Sequence, residues 1–136
     1  MLSLPYSSNY ERWAPVLGRI LLAVPFLVGA FFKIPGTEGF AAEAGMTAAV
    51  GVPFATAAVF LAFLLEVLVG IAFIIGWKVR MFAAILIPYV ILLTALFHHS
   101  FTTPYDIGFF VDHLVLIGAL LYASVYGARY AAVTPD

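Results

Sequence analysis

Residues 53–80 read PFATAAVFLAFLLEVLVGIAFIIGWKVR. From Pro53 to Trp77 the run carries one ionisable side chain, Glu66, and is otherwise almost wholly apolar. A bilayer core about 30 Å thick needs roughly 20 such residues in a helix. The run shows no two-residue alternation, so it does not read as a barrel strand. Helix is then what remains, because hydrocarbon satisfies no backbone N–H or C=O. The run ends at Gly76-Trp77-Lys78-Val79-Arg80, which has room only for a tight turn into an antiparallel partner.

Working outward, three more stretches have the same character. Together they predict an all-α, polytopic membrane protein: a four-helix transmembrane bundle with helices over about 15–34, 53–77, 80–98 and 104–127. Thr103-Pro104-Tyr105-Asp106 starts the last helix, with Thr103 as cap, Pro104 in the first turn and Asp106 as capping-box acid. Gly127 suits its end. The connection 35–52 contains Phe40-Ala41-Ala42-Glu43-Ala44-Gly45-Met46 and reads as a short interfacial helix between helices one and two. Pro25 and Pro88 fall inside helices one and three. Ala119, Ala123 and Gly127 form a small-residue stripe, suited to packing within the chain or to a homodimer seam.

Composition agrees. Of 136 residues, 65% are hydrophobic and 10% charged, against about 45–50% and 25% in soluble domains. Mean hydropathy is +1.12. Six Lys and Arg against seven Asp and Glu leave no basic surface for nucleic acid. With no cysteine, thiolate metal sites and iron–sulfur ligation within the chain are excluded. Arg12, Arg19, Lys78, Arg80 and Arg129 all fall on the side of both termini, and Lys33 alone on the other. The positive-inside rule then places both termini in the cytoplasm and the chain in the cell (inner) membrane. The first apolar segment reads as a retained span and not as a cleaved signal.

Ionisable groups at membrane depth are expensive and mark candidate sites. Glu66 lies roughly 20 Å from one end of its helix and ~16 Å from the other. Folding back at Lys78 brings Tyr89 to the same depth, and Arg19 is long enough to reach inward from helix one. Glu66, Tyr89 and Arg19 are therefore expected as one intramembrane group, serving as a strut or carrying protons. A second group gathers at the outer face: Thr94, His98 and His99 on helix three, Asp112 and His113 on helix four. Imidazole beside carboxylate can hydrogen-bond and protonate a quinone oxygen. These five are the candidate quinone ligands, with Phe97, Phe101, Phe109 and Phe110 as lining. No His-x-x-x-His spacing is present, so no metal or haem site is assigned.

Gly18-Arg19-Ile20-Leu21-Leu22 through Phe26-Leu27-Val28-Gly29-Ala30 to Lys33-Ile34 resembles the first helix of the DoxX family of small four-helix membrane proteins. Gly51-Val52-Pro53, Leu65-Glu66-Val67-Leu68-Val69-Gly70, the basic turn at Lys78 and Arg80, the His-Ser-Phe run from His99 and Leu114–Leu121 continue the likeness over nearly the whole chain. Many members have Asn before the last leucine-rich run, where this chain has Asp112-His113. The resemblance implies association with quinone-linked electron transfer, and it marks Arg19, Lys33, Glu66 and His98 or His99. Three functions stay open: a quinone-associated subunit of a respiratory or redox complex, a non-catalytic accessory or scaffold subunit, and a small carrier or proton conduit. The chain itself holds no electron carrier, so the expectation is no intrinsic cofactor, a bound quinone, and a membrane protein partner or homo-oligomer in the lipid bilayer.

Overall fold

The computed structural model describes residues 8–134. Among them the chain is all-helical: α1 (Ser8–Phe32), α2 (Glu38–Ala49), α3 (Ala55–Ile75), α4 (Val79–Phe97) and α5 (Pro104–Tyr126). All but α2 are long and apolar enough to cross a membrane, at 24, 21, 19 and 23 residues of span. That is roughly 28–36 Å of helix, matched to a core of about 30 Å. The chain is a multi-pass membrane protein in contact with lipid.

The helix ends follow local chemistry. Thr103 accepts the Asp106 N–H and Asp106 accepts the Thr103 N–H, a complete capping box with Pro104 behind it. Thr37 caps α2 through the Phe40 N–H. Gly76 ends α3 at φ +71, in the left-handed region that lets the chain reverse within three residues. The first helix differs from its expected start at residue 15. It begins at Ser8, with Pro15 inside it. A proline removes only its own N–H bond, here the one to Glu11, and the helix continues across that gap.

The helices pack as two antiparallel pairs, α1 with α3 and α4 with α5, and α2 lies against α3. The pairs share a core of Ala23, Phe26, Val69, Ala72, Phe73, Val79, Phe82, Ala83, Leu86, Val90 and Leu120. Phe26 meets Phe73 edge-on at 6.3 Å between centroids. Gly70 admits the Leu27 side chain so closely that a Cβ there would lie 2.3 Å from Leu27 Cδ2. This core sits toward the end that holds both termini. Beyond Val90 on α4, and before Leu120 on α5, no residue is fully buried. The far halves of these two helices therefore open toward lipid. In the small-residue stripe, Ala123 packs on the core, Ala119 is exposed and Gly127 caps α5.

Candidate functional sites

At mid-span, α1, α3 and α4 meet around Glu66, which is 3% exposed. Glu66 lies roughly 16 Å from either end of its helix-turn unit. Its Oε1 accepts the Tyr89 hydroxyl at 2.6 Å. Its Oε2 accepts Lys33 Nζ at 3.1 Å in an ion pair. Lys33 also donates to the Gly29 carbonyl at 3.2 Å. Gly29 is glycine for a visible reason: a Cβ would lie 2.9 Å from Glu66 Oε2. Glu43 of α2 is near enough to act electrostatically on both Glu66 and Tyr89. A buried carboxylate with a cation and a phenol leaves no bare charge, which is the condition for tolerating it in hydrocarbon.

Tyr89 thus sits where hairpin arithmetic puts it, but Arg19 does not join the group. The cation on Glu66 is Lys33. Side chains on a helix tilt toward its N-terminus, so Lys33 at the C-terminal end of α1 reaches back along the span. One signal for this was present in the sequence: a lone cation on the far side, and a lone acid at mid-span. Arg19 enters from the opposite end and donates instead to the carbonyls of Tyr130, at 2.6 Å, and Ala131. A longer contact of 3.5 Å reaches the Ile74 carbonyl. Sequence pattern gave no hint that residues 128–134 return across the helix ends.

At the α4–α5 connection, opposite the end of α5, Thr94, His98, His113 and Phe109 come together. Thr94 Oγ1 donates to the Val90 carbonyl at 2.7 Å. Thr94 Oγ1 also lies 2.7 Å from His113 Nδ1, a hydrogen bond whose donor depends on the imidazole tautomer. His98 stacks on Phe109 at 4.9 Å and meets His113 edge-on at 5.0 Å. Burial holds the His98 imidazole below its ordinary value, with Asp106 pulling weakly the other way. His99 and Asp112 are exposed, and Asp112 reaches His113 only electrostatically. Phe101 pairs with Phe110 and so turns to a separate contact. Among the described residues no three His, Asp or Glu side chains converge as metal ligands.

A bundle of four spans, a saturated ion pair at its centre and an imidazole pair at one rim define a small polytopic membrane protein without a soluble catalytic domain among the described residues. The DoxX family model matches residues 14–99, and the chain belongs to the DoxX family. The match runs through α4, so Arg19, Lys33, Glu66 and Tyr89 lie inside it and His113 outside. No curated protein and no solved structure matches the chain significantly.

Proposed function

We propose that the protein is a quinone-interacting subunit of a redox complex in the cell membrane, with both termini in the cytoplasm. The observation that carries this reading is the 2.7 Å contact between Thr94 and His113 beside the His98–Phe109 stack, and the reading takes the tautomer in which His113 Nδ1–H donates to Thr94. A quinone supplies the electron capacity that the side chains of this chain lack. The residues present fit its reduced headgroup. The free Nε2 of His113 accepts a hydrogen bond, and with it a proton, from a phenolic hydroxyl. Thr94 holds the imidazole in the tautomer that does so. Phe109 and His98 supply aromatic surface beside the ring, and an isoprenoid tail would lie along the lipid-exposed far halves of α4 and α5. His99 and Asp112, exposed and turned out of the cluster, have no part in it.

Because Nε2 is an acceptor in the neutral ring, the site favours quinol over quinone. Titration of the purified protein with a short-chain quinol and its quinone tests this. The expected result is preferential quinol binding that weakens in His113→Ala and in Thr94→Val. Binding unchanged by His113→Ala and His98→Ala would end the reading.

A second reading, a non-catalytic accessory subunit, draws on a different observation: Glu66, Lys33, Tyr89 and the amino groups of Arg19 are all spent on partners within the chain. Gentle solubilisation separates the two. A stoichiometric protein partner with no co-purifying quinone favours the accessory role.

A further inference from the structure

At the end that holds both termini, residues 127–134 fold back beneath the α3–α4 turn. The Val133 N–H donates to the Ile75 carbonyl at 3.0 Å, and the Thr134 N–H to that of Gly76 at 3.4 Å. The Lys78 N–H donates to Thr134 Oγ1 at 3.2 Å. Ala128 is 2% exposed, and a Cβ on Gly76 would lie 2.8 Å from that of Ala132. The segment is a strap drawn across the bundle end, and Arg19 is its fastening.

The fastening is unusual in its chemistry. Arg19 is 7% exposed, yet its acceptors are neutral carbonyls. Its Nε–H has no acceptor. Among the described residues no carboxylate pairs with it. Buried guanidinium groups are ordinarily matched by carboxylate or phosphate, whose charge offsets the lost hydration. The strap also holds Ala131 at φ +45, in the left-handed region that is strained for an L-residue. An open cavity of about 450 Å³ adjoins the strap, lined by Tyr10, Glu11, Ala14, Pro15, Arg129 and Tyr130; Arg19 is not in its wall and lies one helical turn past Pro15, joined to it through Tyr130. Arg19 lies beside Gly76, next to the basic turn at Lys78 and Arg80, and basic groups at the ends of spans are drawn to headgroup phosphates. Arg12, Arg80 and Arg129 carry positive charge to the same end, and Glu11 is the one acid in the cavity wall.

We propose that the strap is displaceable, and that the phosphate of an anionic lipid entering this cavity competes with the Tyr130 and Ala131 carbonyls for Arg19. A phosphate offers two oxygens to the guanidinium fork and a compensating charge, where the strap offers dipoles. Its arrival frees residues 128–134 and releases the clamp between the α1–α3 pair and the C-terminal end of α5. The bundle then responds to the lipid composition of that leaflet.

The chain has no cysteine, so Ala128→Cys supplies a single reporter thiol buried under the closed strap. The full-length variant is reconstituted in phosphatidylcholine vesicles with and without phosphatidylglycerol, and its reaction with N-ethylmaleimide, an uncharged reagent, is timed. Labelling is expected to be about tenfold faster with phosphatidylglycerol, the difference between neutral and charge-assisted bonding at one guanidinium. Arg19→Gln in the same background should label fast in both. Hydrogen exchange of the wild-type segment 128–134 reads the same opening without the thiol. Equal exchange and equal labelling in the two lipids overturn the proposal, as does an Arg19→Gln chain that stays protected. If inorganic phosphate accelerates labelling in phosphatidylcholine as much as phosphatidylglycerol does, the lipid source is overturned and an aqueous phosphate site takes its place.

Discussion

Replacing Glu66 by leucine removes the acceptor of two buried donors at once. Lys33 Nζ keeps only the Gly29 carbonyl, and the Tyr89 hydroxyl keeps nothing. Breaking a buried ion pair from one side costs about 3–5 kcal/mol while the surviving charge stays desolvated, and less where, as with Lys33 at the end of α1, it can snorkel toward headgroup water. An orphaned hydroxyl adds roughly 1–3 kcal/mol. Leucine fills most of the vacated volume, which removes a large cavity term from the sum. The expected loss is therefore about 2–4 kcal/mol, a large share of the 5–15 kcal/mol typical of a folded domain. Lys33→Met in the same chain removes the stranded charge. The double variant should recover most of the loss, since apolar replacement of both partners is often neutral. Glu66→Gln keeps an acceptor for Tyr89 and should fall between. Reversible unfolding in mixed micelles, read by circular dichroism, gives the stability of wild type and of each variant. A Glu66→Leu protein within about 1 kcal/mol of wild type would refute the account, as would a double variant no more stable than Glu66→Leu alone.

Gly70→Ala should cost about 1–3 kcal/mol through overpacking against Leu27, and Leu27→Ala should relieve it in the same unfolding assay. His98 is held below its ordinary value of about 6.5, so the fold favours its neutral form. The stability it lends is complete above that pH and is lost as pH falls through it toward the lowered folded value. The thermal midpoint should therefore drop between pH 7 and 5, and drop less in His98→Phe, which keeps the stack on Phe109. Single thiols at Ala42→Cys and Thr134→Cys should label from opposite faces of intact cells, the first from outside. Outside labelling at 134 and not at 42 would reverse the orientation.

The spans were legible because lipid leaves the backbone few options: a long apolar run must be a helix, and its ends carry readable caps. Tyr89 was legible because a hairpin with a tight turn makes depth a matter of counting. Pro15 misled, since proline is common at a helix start and the pattern upstream is polar. Lys33 was reachable from the tilt of helical side chains, but its place at the interface suggested a group that snorkels to water. The Arg19 strap was not legible at all. Its bonds join residues more than a hundred positions apart, and its acceptors are backbone carbonyls, which every residue has. At the outer rim, Thr94, His98 and His113 were grouped by depth alone. Depth does not give rotation about the helix axis, so exposed His99 and Asp112 were counted with them.

The ion pair at mid-span sets an order on how the chain enters its membrane. Lys33 is synthesised 33 residues before Glu66, and Tyr89 23 residues later still. When α1 first meets lipid its partner does not exist. A lone lysine at the centre of a nascent span costs about 2.5–3.5 kcal/mol on insertion scales. Lys33 sits at the end of α1 and not at its middle, so in the unfinished chain its ammonium can stay in the outer headgroup water. Only after α3 has arrived does the side chain swing inward to Glu66. The newborn protein can therefore thread its first helix without a buried charge, and acquires that charge only once its counter-ion is in place.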